Sequence, residues 1–291
     1  MPKRAATTAA AAGSKKVRCE EDEEGSPFPN HAAPTEEASR LVHAALSELH
    51  PEMLDLCSPK EEVVDEGSCA RKEVLDSLVG TIFSQNTTDV QSHKAFAALK
   101  RVFPTWEQVR TSDPAPIIEA IRSCGLAEIK TERIQRILQT LYEERGECSL
   151  EYLRDESDAA VKVALRRFKG VGAKTISCVL MFCLKRAEFP VDTHVWKIAL
   201  ALGWVPKGAN RDQTYEHLNA RVPNEIKYAL HVLLVKHGKV YKNDVKVLRE
   251  KMRELVASVP EMASPCVGVK KELVKQELEE PETKVKVQLC D

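Results

Sequence analysis

Between residues 36 and 257 apolar positions recur mostly every three or four residues, the spacing of one face of an α-helix. A helix is expected over 36–50, with Thr35 as N-cap and Pro51 just past its end. The next, over 70–83, would bury Val74, Leu75, Leu78, Val79 and Ile82. The same period predicts helices near 89–103, 114–123, 131–145, 157–168 and 173–185, then near 193–203, 212–221, 225–237 and 243–257. Strand-like alternation is scarce. The expected class is all-α, built from short helices with short connections.

Outside this region the pattern lapses. Residues 1–34 hold an Ala/Thr run, an acidic cluster up to Glu24, and Pro27, Pro29 and Pro34, and are expected to be disordered. Residues 258–291, where Lys and Glu alternate around Pro260, Pro265 and Pro281, are expected to behave alike. Residues 51–69, with Pro59 and Gly67, would be a linker, so that 35–69 forms an N-terminal helix plus linker. Mean hydropathy is −0.32, and no apolar run approaches the roughly 18 residues of a membrane span. The nine cysteines are scattered, with no CxxC pair, and are expected to be reduced.

The net charge of −1 conceals a division. Residues 1–69 carry −7, 70–255 carry +8 and 256–291 carry −2, and within 160–255 there are 19 basic against 8 acidic residues. A basic body between acidic tails suits a polyanion, although a solvated basic surface would look the same.

One segment carries chemistry. Phe168-Lys169-Gly170-Val171-Gly172-Ala173-Lys174-Thr175 lies between two predicted helices. Gly170 and Gly172 permit a tight hairpin, and the helix start after it would offer backbone N–H groups to a phosphate. Val171 would sit at the tip or pack between the helices. The segment is not a P-loop, because Ala173 rather than Gly precedes the lysine and Phe168 occupies the other required Gly position. A plain αα-turn remains the alternative at this point. Eighteen residues after Lys174, Pro190-Val191-Asp192-Thr193-His194-Val195 places Asp192 at the N-cap of the next helix, where the helix dipole favours a carboxylate.

Together, GVGAKT and PVDTHV at this spacing resemble the endonuclease III group of the helix-hairpin-helix-GPD DNA glycosylases, over about residues 70–245. The resemblance implies that Lys174 attacks the sugar C1′ and that Asp192 is the active-site carboxylate. The residue types suit that chemistry. A lysine amine can displace a base and leave an iminium, provided that desolvation or cationic neighbours favour its free form. A carboxylate can stabilise the positive charge growing on the sugar and assist proton transfer. Gly170, Val171, Gly172 and Lys169 would contact DNA, Lys169 standing where family members commonly have Pro.

Two further loops match the family. In Ser84-Gln85-Asn86-Thr87-Thr88-Asp89, Asn86, with Gln85 adjacent, would fill the vacancy left by an extruded nucleotide, unless the segment is only a capping turn. In Cys124-Gly125-Leu126, followed by Lys130, Leu126 would wedge beside the orphaned base, unless it is an ordinary buried Leu. The chain departs from many relatives in holding no Cys over 237–244, so no iron–sulfur cluster, cofactor or metal is expected there, and Lys239, Lys242 and Lys246 would contact phosphates instead.

The expected molecule has two helical lobes with a DNA-binding cleft between them. A six-helix barrel-like domain, 70–187, would carry the hairpin, and a second lobe, 188–257, would pack with 36–50. Its expected function is that of a bifunctional N-glycosylase and AP lyase of base excision repair. It would remove oxidised pyrimidines from double-stranded DNA with a flipped damaged base, as a monomer. Alternatives are excision of 5-methylcytosine, or a non-catalytic protein that grips phosphates with the hairpin. Lys3-Arg4 and Lys15-Lys16-Val17-Arg18 resemble a bipartite import signal, which implies the nucleus, an organelle being the other address, and lysine-modification patterns occur near Lys270 and Lys275.

Overall fold

A computed structural model of the protein describes residues 25–57 and 72–258; the import-like segment, the lysine motifs near 270–275 and most of the linker lie outside them. The described residues are all-helical, as the periodicity predicts.

The N-terminal helix α1 (Glu36–Leu49) starts where expected, with Thr35 Oγ1 accepting from the Ala38 amide at 3.1 Å. After a 3₁₀ turn at Pro51–Met53 comes the short α2 (Leu54–Cys57). The first core is built from α3 (Val74–Ser84), α4 (Asp89–Val102), α5 (Trp106–Thr111), α6 (Pro114–Ile121), α7 (Ala127–Arg145), α8 (Asp158–Arg166) and α9 (Ala173–Cys178). Their apolar faces, among them Leu78, Phe83, Leu99, Ile117, Ile134, Leu138 and Leu165, form one buried cluster.

A second cluster gathers Val42 and Leu46 of α1 with Val195 and Ile198 of α10 (Thr193–Leu202), Leu218 of α11 (Arg211–Arg221), Leu230 and Leu234 of α12 (Asn224–Val240) and Leu248 of α13 (Lys246–Ser258). The chain therefore leaves the second lobe after α1, builds the first, and returns through residues 185–192.

Several elements differ from expectation. Helix α3 begins at Val74, not near 70. Helix α5 was unforeseen, although its capping box, Thr105 with Gln108, stands in the sequence ahead of the buried Trp106. Helix α7 begins four residues early, at Ala127, because Leu126 turns the chain with φ 50° and its carbonyl accepts from the Lys130 amide. The helix expected over 173–185 is α9 followed by a π turn, Val179–Cys183, closed by Leu184 N–H to Val179 O.

The returning connector is pinned by buried polar groups. Glu188 accepts from Lys162 Nζ (2.6 Å), Tyr215 Oη (2.7 Å) and Ser177 Oγ (3.3 Å). The Ala187 carbonyl accepts from Lys227 Nζ, the Phe189 amide donates to Asn219 Oδ1, and the Pro190 carbonyl bonds to His231 Nδ1. These bonds fix the approach to Asp192. Gly238 of α12 fixes it from the other side, since a Cβ there would lie 2.6 Å from the Cβ of His194. That atom cannot rotate away, so Gly238→Ala is expected to cost about 1–3 kcal/mol by forcing α10 and α12 apart, which thermal melting would measure.

Candidate active site

The hairpin turns at Gly170, whose φ of 87° is open to glycine but strained for other residues. The Arg133 guanidinium lies against it, 2.8 Å from where a Cβ would stand. Val171 packs inward, 5% exposed, and its amide donates to the Phe168 carbonyl, so its side chain is core and not tip. Gly172 is the N-cap of α9, and Lys169, Gly170, Gly172 and Lys174 are exposed around it. The amides that open α9 have no carbonyl one turn back, which leaves them facing outward with the positive end of the helix.

Asp192 caps α10, its Oδ1 accepting from the Val195 amide at 2.8 Å. Lys174 and Asp192 belong to different lobes and different elements, yet both fields reach the same two buried groups. Burial raises the Cys178 thiol above its usual range, Lys174 opposes that shift and Asp192 adds to it. Burial likewise pushes the His231 imidazole down to about 4, with Asp192 opposing and Lys174 and Lys239 reinforcing. Both side chains therefore lie within electrostatic reach of the buried Cys178 and His231. Asp89 at the start of α4 and Lys239 on α12 join the lobes through a 2.6 Å ion pair. That hydrogen bond lowers the Asp89 carboxyl, with smaller contributions from His93 and Lys174.

The two loops are placed differently from each other. Gln85 is committed to the protein: its Nε2 donates to the Gly170 carbonyl (3.0 Å) and to Thr175 Oγ1 (3.3 Å), and its Oε1 accepts from Arg133 Nη1 (3.2 Å). Gln85 was expected beside the inserted residue; in the free protein its amide is a strut under the hairpin. Asn86 follows with φ 54° and is exposed. Leu126, also left-handed at φ 50°, is 51% exposed, so it is not the ordinary buried Leu that was the alternative. Lys239, half exposed, is paired with Asp89 in the free protein.

Over 237–244 the space is filled by His237, fully buried, whose Nδ1 meets His50 Nε2 at 3.1 Å and whose ring packs on Tyr241. Among the described residues no three His, Cys, Asp or Glu side chains are grouped to hold a metal ion. No described helix is long and apolar enough to cross a membrane.

Sequence reasoning missed Cys178, His231, Arg133 and Asp89. His231 sits among Leu230, Leu233 and Leu234, where a lone histidine reads as core, and its link to Pro190 spans 41 residues. The buried imidazole has a measurable consequence. Its pKa is near 4 folded and 6.5 ordinarily, so unfolding takes up a proton between those values. Its contribution to stability is complete above about pH 6.5 and is lost as the pH falls towards 4, by roughly 3 kcal/mol in all. Burial lowers His43, His50, His217 and His237 as well, with the same sign. Melting temperature is expected to fall steadily from pH 6.5 to 4.5, and less steeply in His231→Gln.

Residues 79–224 match the family model for HhH-GPD superfamily base excision DNA repair proteins. A protein of Arabidopsis thaliana named "putative DNA glycosylase" is 46% identical over 239 residues, 75% of this chain and 81% of that protein. The DNA glycosylase/AP lyase ROS1 of Arabidopsis thaliana is 33% identical over 153 residues, which are 47% of this chain but only 11% of that much longer protein. Among solved structures, a trapped endonuclease III–DNA covalent intermediate superposes with a TM-score of 0.56 at 20% identity, over 71% of this chain and 87% of that one, which establishes the shared fold. The chain belongs to the HhH-GPD superfamily of base excision DNA repair proteins, a family of DNA glycosylases.

Proposed function

We propose that the protein is a bifunctional N-glycosylase and AP lyase that removes oxidised pyrimidines from double-stranded DNA. The observation that carries this reading is the convergence of Lys174 and Asp192, from two lobes, on the same two buried groups beside an anion-attracting hairpin. A protein that only gripped phosphates would need the hairpin but neither the amine nor the opposing carboxylate. The names of the similar ROS1 lyase and of the trapped endonuclease III complex support the lyase step.

The free amine of Lys174 attacks C1′, and the base departs with the electrons of the glycosidic bond and gains a proton. The positive charge on the sugar faces the Asp192 carboxylate. The amine then loses a proton, the sugar ring opens to an iminium, and loss of a C2′ proton expels the 3′ phosphate. Lys174 is exposed, so of the two conditions expected for its free form, desolvation or cationic neighbours, the first would come from the docked duplex displacing the water around it. The His237–His50–Tyr241 packing supports a fold that holds no iron–sulfur cluster. A monomer in the nucleus completes the proposal.

The test is borohydride trapping with duplexes carrying thymine glycol, 5-methylcytosine or an abasic site. Covalent adducts with thymine glycol and the abasic site are expected. An adduct with 5-methylcytosine in place of thymine glycol would select the alternative substrate, and none with any duplex would leave a DNA-binding role.

A further inference from the structure

Lys130, on the first turn of α7, is 1% exposed, the most deeply buried cation among the described residues. Its Nζ donates to the Phe83 carbonyl at 2.9 Å and to the Cys124 carbonyl at 2.8 Å. Neither acceptor is in mid-helix. Phe83 is in the last turn of α3, and Cys124 ends the 3₁₀ turn Arg122–Cys124 after α6. Helix-terminal carbonyls lack intrahelical donors and carry the negative end of the dipole, so one ammonium satisfies two helix ends at once. Burial pulls this lysine below its ordinary pKa, the contact with Cys124 opposing.

The chain leaves each of those carbonyls into one of the two outward loops. Ser84 to Thr88, with exposed Asn86, follows Phe83; Gly125 and exposed Leu126 follow Cys124. Both loops turn through left-handed residues, which leaves their position dependent on what holds their stems. From the Phe83 side, Gln85 continues the chain of bonds to Gly170 of the hairpin.

We propose that Lys130 is a positioning residue that couples the Asn86 loop to the Leu126 loop, so that the two side chains enter DNA as one fixed pair. The proposal rests on the base-excision reading for its purpose, but the coupling itself is a property of the free protein. A nucleotide leaving the stack vacates space on its own strand and orphans its partner on the other. Filling one without the other would let the duplex close again, and a rigid stem between the two fillers prevents this. The bridge would act on extrusion, not on the reacting atoms.

Hydrogen exchange in the free, full-length protein tests the coupling. In the wild type, amides over 84–88 and 124–127 should open together, with a single denaturant dependence. Separate dependences for the two segments would overturn the proposal, without any variant. In Lys130→Met, exchange of both segments should rise by about tenfold, whereas Gln135→Met should leave them unchanged. Gln135 is a fair comparison, since its amide also satisfies two carbonyls, Val109 and Ser112, but both at the C-terminal end of α5. A rise in only one loop, or the same rise in Gln135→Met, would make Lys130 an ordinary fold residue.

The catalytic readout compares substrates. Excision of thymine glycol from a paired duplex by Lys130→Met should fall about tenfold, while trapping on a single-stranded abasic site, where nothing must be extruded, stays within about twofold. Lys130→Arg, which keeps the charge and the donors, should recover most of the duplex activity. An equal fall on both substrates would overturn the positioning role. Should the wild type act on neither substrate, the excision reading fails alone, and the exchange data still decide the coupling.

Discussion

Lys174→Gln is expected to form no borohydride-stable adduct with any DNA and to excise at least roughly 10³-fold more slowly than the wild type, the scale on which loss of a covalent nucleophile is felt. The amide has no basic lone pair, so neither attack at C1′ nor the iminium that activates the 3′ phosphate is open to it. Little else should change. Lys174 is exposed at the start of α9 and its aliphatic stem has a close isostere in Gln, so stability should move by no more than about 0.5 kcal/mol. Affinity for an uncleavable abasic analogue should persist, with the slope of log K against log salt reduced by about one at most. If this variant still formed the adduct, the nucleophile would lie elsewhere and the convergence with Asp192 would be structural.

Asp192→Asn separates two roles that one carboxylate combines. As a cap, Asp192 accepts the Val195 amide, and Asn caps nearly as well, so melting temperature and helix content should hold. As a charge, in the proposed reaction it would face a sugar that becomes cationic when the base leaves. Removing a preorganised group of that kind costs about 3–4 kcal/mol, or 10²–10³ in rate. Excision should fall by that factor in single-turnover assays, while binding of the abasic analogue, which develops no charge, remains. Excision at the wild-type rate would reduce Asp192 to a helix cap.

Much of this architecture was legible because it is written locally. Thr35, Pro51, Asp192 and the two glycines of the hairpin act within a turn of themselves, and the three- and four-residue spacing of Leu and Ile is set by each helix alone. What escaped is set by partners distant in sequence. Gln85 and Asn86 are adjacent polar residues, and only the approach of Gly170 and Arg133, 85 and 48 residues away, turns one inward and leaves the other out. Leu126 was equally readable as buried or exposed until its left-handed turn set it outside. The π turn after α9 interrupts an apolar run whose composition is helical throughout, and α3 packs against it.

The pinned connector at Ala187–Pro190 has a consequence for the other molecule in the reaction. The polar anchors on Ala187–Pro190 stiffen this crossing between the lobes, and the stiffer it is, the more of any adaptation on docking would fall upon the nucleic acid. Bending a duplex through 40–90° costs on the order of 1–6 kcal/mol, and the cost drops where stacking is already broken. Under the proposed function, such a crossing would favour sites where the duplex is already mechanically soft.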